Sequence, residues 1–558
     1  MKRKLAAWLV SWLMVVSLIL SACQMIPGLG KSVTVMIVYG SEKKEWLEPL
    51  VSEYNAAKHT TEDGATIVVE AVAMGSIESV RGIIDGTLQP TVWSPASSVY
   101  IPVANAEWAK NHTGPLVGDN PPDLVLSPVV IAMWEPMARA LGWPDKALGW
   151  ADIAELATSD EGWSAYGFPV WGDFQFGHTH PEYSNSGIVS ILAEAYAGAG
   201  KQRGLTLDDI NSPKTQEFMR QVESSVIHYG TSTGFFAERM FERGPSYLSA
   251  AVLYENLIVA QESKRLSGQS TQTQVVAIYP KEGTFWSNNP YAILNAPWVT
   301  DEQRAAAKDF EAYLLDKPQQ QRAIELGFRP ADPSIPLTSP LDAQHGVDIS
   351  QPQTVLEIPS VEVITGIQKL WEQTKKPVDL VVVMDISGSM KGDKISAARE
   401  SLKQFVQLLD DRDRLEIILF NSEMSILTDL SPIGAKRQQV LAGVGGIFER
   451  GGTRMYDAVE MAYQELEAKG DPNHIRAVVV LSDGMDTESD VSQFGIFQML
   501  QTGSEESGGN AIKLFTIGFG DDADKQTLTT MAEYTGGKQY DASPENINKI
   551  YAEIATFF

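Results

Sequence analysis

The chain has 558 residues, a hydrophobic content of 44% and a formal net charge of −27. That length allows several domains with full cores, and the hydrophobic content is that of globular protein. So acidic a balance excludes a phosphate-backbone partner, which requires a basic patch, and no nucleic acid is expected.

Lys2, Arg3 and Lys4 form a basic start, Leu5 to Leu20 is an apolar run, and small residues close it. This order is that of a secretory signal, predicted over residues 1–22. The closing Leu20-Ser21-Ala22-Cys23 is similar to a bacterial lipobox, whose cysteine becomes the lipidated first residue. Cys23 is the only cysteine in the chain, so lipidation is its expected role and no internal disulfide can form. Pro27, Gly28 and Gly30 make residues 23–32 a tether. The resemblance implies a lipid anchor in the membrane and an extracytoplasmic place in a bacterial cell envelope.

Residues 33–335 alternate apolar strands and amphipathic helices: Val33 to Tyr39, then Lys44 to Asn55, then Thr66 to Val72, and onward. Such alternation predicts an α/β fold. Pro128 to Met133 and Val275 to Tyr279 read as two crossings between lobes. Short hydroxyl loops follow apparent strand ends at Ser41, Ser76 and Ser97, and Ser186-Gly187 opens a helix. Together with Tyr183-Ser184-Asn185-Ser186-Gly187, Leu253-Tyr254-Glu255-Asn256 and Gly327-Phe328-Arg329-Pro330, this arrangement resembles a type 2 periplasmic solute-binding protein. The resemblance implies a two-lobed fold that holds a small polar or anionic solute, with an importer permease as a further partner. Ser41, Ser76, Ser97, Ser186 and Tyr254 are the candidate ligand contacts. Free N–H groups at a helix start suit an anion, and plain N-capping accounts for a single serine equally well. Ser97 and Ser186 are the exceptions: ligand contact is the favoured reading there, because open sheets bind at such loops.

Three stretches imitate catalytic or metal sites. Gly230-Thr231-Ser232-Thr233-Gly234 matches a nucleophile elbow, but Gln216 to His228 before it reads as a helix, so the strand–turn–helix context is missing. His178 and His180 have no cysteine or acid at ligand spacing and read as loop residues. Asp521-Asp522-Ala523-Asp524 lacks the glycine and terminal glutamate of a calcium loop. No enzymatic constellation stands out.

Residues 336–377 read as a linker with prolines at 336, 340 and 352 and a short helix from Val361 to Trp371. Beyond it, Val381-Val382-Val383-Met384 is a buried-strand pattern that runs into Asp385-Ile386-Ser387-Gly388-Ser389. Gly451-Gly452-Thr453 offers a second hydroxyl loop, and Ala477 to Ser482 is another apolar strand ending in Asp483. These five positions in this order resemble the metal-ion-dependent adhesion motif of the von Willebrand factor A domain, across residues 378–558. The resemblance implies a doubly wound, Rossmann-like parallel sheet. It also implies that Ser387, Ser389 and Thr453 contact Mg²⁺ or another divalent cation, with Asp385 and Asp483 acting largely through water. A protein ligand then presents an acidic side chain to the metal.

The expectation is therefore a two-lobed solute-binding fold followed by an A domain, in a membrane-anchored binding lipoprotein without enzymatic activity. Two rivals stand beside it. One is an adhesion or assembly protein whose solute fold holds no ligand; the other is a metal-dependent hydrolase using Asp385 and Asp483. The second is disfavoured because hydroxyl ligands supply little general-base capacity.

Overall fold

The structure is a computed structural model and describes residues 31–230, 232–507, 512–555 and 557. The signal segment and Cys23 lie outside the described residues. Among the described residues no helix is long and apolar enough to cross a membrane. The chain forms two compact units, Met1–Leu126 with Asn288–Ser339, and Ser127–Ser287 with Pro340–Phe558.

In the first unit a four-stranded sheet runs in the order Ala292–Ile293, Val92–Ser94, Ser32–Tyr39, Thr66–Ala73. The last three are parallel to their neighbours and the first is antiparallel. Val33, Val35, Ile37 and Tyr39 alternate along the central strand and point into one core, as a period of two requires. The helix Lys44–Ala57 answers with Trp46, Leu47, Leu50, Val51 and Tyr54, a helical stripe. It ends where Lys58 turns left-handed at φ 56°.

The first half of the second unit is built on the strand Val125–Trp134, whose part from Val129 onward pairs antiparallel with Ala250–Tyr254 and with Val275–Ile278. Phe176–Thr179 lies parallel to both Ala250–Tyr254 and Val226–Gly230. The expectation that Val275 to Tyr279 crosses between lobes is corrected here. That strand stays inside the second unit, and the chain passes between units at Leu126–Ser127, Ser287–Asn288 and Ser339–Pro340. An apolar run reports burial in a sheet and carries no label for which sheet.

The stretch read as a linker contains the helix Val361–Thr374, which packs on Asn185–Ala199, Leu207–Ile210 and Pro213–Glu223. Its buried face is Val363, Ile364, Ile367, Leu370, Trp371 and Thr374. Each large apolar side chain so buried contributes about 1.5–3 kcal/mol.

The A-type half carries six strands: β1 Val378–Asp385, β2 Arg414–Phe420, β3 Met424–Pro432, β4 Ile475–Ser482, β5 Lys513–Phe519 and β6 Gln539–Ala542. Their spatial order is β3-β2-β1-β4-β5-β6, all parallel except the edge strand β3. Every residue of β1 is buried, which explains the apolar run from Leu380 to Met384: helices cover both faces of such a sheet. Val381, Val383, Val478 and Val480 share a core with Met455, Val459 and Ala462 of the helix Met455–Lys469.

Candidate functional site

The order of the sheet reverses between β1 and β4, since β1 is followed in space by β2 on one side and β4 on the other. Open α/β sheets bind ligands outside the carboxyl ends of strands at such a switch point. Asp385 ends β1 and Asp483 follows β4, both with no exposed surface.

From Asp385 the backbone turns at once, because the Ser387 N–H donates to Asp385 Oδ1 at 2.8 Å. That turn aims Ser387 Oγ at Ser389 Oγ, 2.9 Å away, and Ser389 Oγ donates to Asp483 Oδ1 at 2.7 Å. Four of the five predicted positions thus form one hydrogen-bonded chain. Ser387 is buried and Ser389 is exposed, so the chain reaches from the interior to the surface. Thr453, 6% exposed, stands on the adjacent loop, which is tied to the first by Gly388 N–H donating to the Gly451 carbonyl at 3.0 Å. Gly451 adopts φ +80°, and a Cβ there would lie 3.0 Å from Ser422 Oγ, so the loop needs glycine at that point.

Two further residues of the site were not foreseen. Ser482 Oγ donates to Asp385 Oδ2 at 2.7 Å, and Lys394 Nζ donates to Asp483 Oδ2 at 2.6 Å. Lys394 sits in the first turn of the helix Asp393–Leu408, where a cation opposes the helix dipole. That placement was a readable signal for a local acid. Burial pushes the Asp385 carboxyl up to about 6, with the Ser387 and Ser482 bonds opposing and Asp483 adding to the rise.

The donors gathered here are two carboxylates and hydroxyls, with no nitrogen or sulfur ligand among the five motif residues. Hard oxygen donors fit a hard divalent cation. The residues present therefore fit the ion that the motif implies.

The solute-site candidates are placed in both units. In the first, the Ala96 N–H donates to Ser76 Oγ at 3.0 Å, and Ser97 Oγ accepts from the Val99 N–H at 3.3 Å. Ser76 and Ser97 therefore belong to touching loops, while Ser41 opens the short turn Ser41–Lys43. Sequence reasoning missed Lys43, which is fully buried. Its Nζ donates to Asn289 Oδ1 at 2.7 Å and pairs with Glu42 Oε1 at 2.7 Å. Burial holds its pKa below the usual lysine range. Ser94 Oγ, at the end of its strand, is buried with no hydrogen-bond partner.

In the second unit Ser186 Oγ lies 2.6 Å from Thr179 Oγ1 and accepts from Thr233 Oγ1 at 2.8 Å. Tyr254 Oη accepts from Asn185 Nδ2 at 3.0 Å. A strand end and two helix starts thus meet at Ser186.

Two readings are corrected. Gln216 to His228 is not one helix: the helix Pro213–Glu223 ends, and the strand Val226–Gly230 leads towards the helix Thr233–Arg243. The context of a nucleophile elbow is therefore present. Ser232 nevertheless has ordinary extended backbone at φ −145°, ψ 149°, unlike the strained elbow serine. Nor is His178 a loop residue: it lies in the strand Phe176–Thr179, buried, with Glu223 Oε1 3.1 Å from its Nε2. Its acidic neighbours come from distant helices, which local spacing does not reveal.

A family model described as bacterial extracellular solute-binding protein matches residues 35–329, more than half of the chain. The chain belongs to that family. A second model, the von Willebrand factor type A domain, matches residues 379–552 of this solute-binding protein. An uncharacterized protein of Mycobacterium tuberculosis is 22% identical over 554 residues, covering 92% of this chain and 75% of that protein. Human inter-alpha-trypsin inhibitor heavy chain H4 is 30% identical over 171 residues, 29% of this chain and 18% of that one. Among solved structures, the fructose-6-phosphate-bound periplasmic binding protein AfuA of Actinobacillus pleuropneumoniae is similar at a TM-score of 0.41. It is 12% identical and covers 62% of this chain and 97% of its own. A von Willebrand factor type A protein from Catenulispora acidiphila is similar at a TM-score of 0.29 and 22% identity, covering 32% and 42% respectively. The two domains together support a binding or adhesion role outside the cytoplasm.

Proposed function

We propose that this is a lipid-anchored lipoprotein that binds a small polar or anionic solute in its solute-binding half and a protein partner, through Mg²⁺, in its A domain. The domains are assigned as residues 33–335 for solute binding and 378–558 for the A domain, with Cys23 as the anchor. The observation that carries the reading is the chain Asp385–Ser387–Ser389–Asp483 at the switch point of the sheet. Ser387, Ser389 and Thr453 would hold the ion with neutral oxygens, and Asp385 and Asp483 would orient its waters. Few directly bound charges leave such an ion electrophilic towards a partner's carboxylate. Lys394 neutralises part of Asp483, and Ser482 fixes Asp385, so both acids keep one geometry.

The test is calorimetric titration of Mg²⁺ into the full chain and its Asp385→Ala variant at equal circular-dichroism signal. Heat of binding in the wild type alone supports the site; indistinguishable titrations refute it.

One observation favours the rival in which the solute fold serves adhesion without a ligand. Two of the three hydrogen-bonding positions of the Ser186 hydroxyl are already filled by Thr179 and Thr233. The unpartnered Ser94 hydroxyl in the first unit speaks for a solute instead. A thermal-shift screen against sugars, amino acids and inorganic anions separates the two, since a ligand stabilises the folded state by its concentration over its dissociation constant.

A further inference from the structure

We infer that His178, Glu194 and Glu223 form a second, buried site for a divalent transition-metal ion, Zn²⁺ in the first instance. The site is separate from the A-domain motif. His178 comes from the strand Phe176–Thr179, Glu194 from the helix Asn185–Ala199, and Glu223 ends the helix Pro213–Glu223. One ligand atom from each lies within 4.8 Å of the others, and all three side chains have no exposed surface.

The charge of this cluster is the first argument. Among the described residues neither carboxylate has a lysine or arginine partner, and Glu223 pairs only with His178. Isolated buried carboxylates are costly, and two side by side are more so. A dication between them makes the group neutral.

Hydrogen bonding is the second argument. Both Glu194 oxygens are buried and no N–H or hydroxyl group donates to either; their hydrogen-bond contact is with the Glu223 carboxyl. Two carboxyl groups in contact need a cation or a proton between them, and buried acceptors without donors are rare in native interiors. Glu223 is held differently: Tyr229 Oη donates to its Oε2 at 2.7 Å, leaving Oε1 turned towards His178. The His178 Nδ1 lies 2.8 Å from the Thr179 carbonyl, which only an N–H can satisfy. With Nδ1 turned to that carbonyl, Nε2 is the ring nitrogen that faces Glu223, the orientation of metal-bound histidines whose other nitrogen donates to a carbonyl.

Donor count and spacing complete the case. Nε2 of His178, Oε1 of Glu223 and one oxygen of Glu194 make three donors, since the second Glu194 oxygen lies too close to the first to take a separate tetrahedral vertex. The 3.1 Å between Nε2 and Oε1 matches the edge of about 3.3 Å in a tetrahedron with zinc bonds of about 2.0–2.1 Å. Imidazole with carboxylates and no thiol suits zinc, iron or manganese rather than a thiophilic ion. Three protein donors leave a fourth position, and burial closes the site to bulk solvent. Its consequence is local: the ring of Tyr229 lies 5.3 Å from that of Trp371, on the helix that runs into β1. The ion would brace the wall on which that helix rests.

The competing account is a carboxyl pair that shares one proton, and burial together with Glu223 does push Glu194 well above the usual carboxylate range. A single proton fills one Glu194 oxygen and leaves the other orphaned.

The deciding experiment compares the purified full chain with His178→Ala and Glu194→Gln, all in an Asp385→Ala background so that the A-domain cation is not counted. Elemental analysis after refolding with Zn²⁺ is expected to give about one equivalent in the parent and none in either variant, because metal binding couples to folding. Replacement by Co²⁺ is expected to give a visible ligand-field band in the parent that His178→Ala removes. Glu194→Gln keeps the side-chain shape and is expected to lower the melting temperature of zinc-refolded protein. The proposal is overturned if the parent takes up no zinc on refolding. Equal zinc in parent and Glu194→Gln overturns it too, and a Glu194→Gln protein that melts higher establishes the shared proton.

Discussion

Two clusters of short polar side chains occupy equivalent positions in two halves of the molecule, at strand ends and helix starts. Around Ser186 the members are Thr179, Ser184 and Thr233, all buried hydroxyls that bond one another. Around Ser387 and Ser389 the hydroxyls instead lean on two buried carboxylates, Asp385 and Asp483. The scaffolds pose the same problem, short side chains beyond the ends of strands that run parallel to their neighbours. Two aspartates change the answer: an acid-free hydroxyl cluster beside helix starts favours neutral or anionic groups, and the acid-backed one favours a hard cation.

Removing the acids from one cluster is the severest way to break that contrast. Asp385→Ala is expected to weaken Mg²⁺ binding by about 10- to 100-fold, the usual effect of losing a residue that orients metal ligands, and to end Mg²⁺-dependent partner binding. Calorimetry and a pull-down with and without chelator read both.

The hydroxyl cluster is tested by Ser186→Ala. For an anionic solute found by the thermal-shift screen, affinity is expected to fall about tenfold or more, since each charge-assisted bond contributes about 1.5–3 kcal/mol. Unchanged affinity means that the solute does not use Ser186.

A smaller effect sharpens the cationic side. Lys394→Met removes the cation that shares Asp483 with the metal site. Mg²⁺ affinity is expected to rise about two- to fivefold, the scale of a partly exposed ion pair. A loss of affinity shows that Lys394 is needed to position Asp483.

The mildest test concerns the sheet rather than its loops. Lys513, at the start of β5, is buried next to Arg243, and burial first, then that guanidinium, pushes its pKa down to about 7. The unfolded chain holds this proton up to its ordinary value of 10.5, so between about 7 and 10.5 the unfolded state binds more protons. Stability is expected to rise with pH through that window and to carry the full cost of the buried cation below it. Lys513→Met is expected to flatten the dependence, as urea unfolding at pH 6, 8 and 10 reads directly.

Much of the A-type half was legible in the sequence. Val381 to Met384 announces a strand covered on both faces, and Asp385, Ser387, Ser389, Thr453 and Asp483 stand in order at the ends of such elements. β3 was not foreseen: only Leu430 of Met424–Pro432 is buried, so this edge strand has no apolar pattern to show. The solute-binding half was legible as alternating strands and helices, and Pro128 to Met133 lies in a strand that does pass between the units. The second crossing was misplaced, because Val275–Ile278 and the strand it joins look alike from composition. The strand Val226–Gly230 was hidden in a continuous polar-apolar stretch after Pro213–Glu223, where two buried residues, Ser225 and Val226, mark the change of period too briefly to read.

The sequence by itself determined the kinds of elements and the local turns, because apolar periodicity and an aspartate two residues before a serine act over a few positions of chain. Tertiary structure alone decided the partners of charge. Lys394 meets Asp483 across 89 positions, Lys43 meets Asn289 across 246, and His178 meets Glu223 across 45. Electrostatics and hydrogen bonding depend on distance in space, and only the packing of sheets and helices sets which distant residues become near.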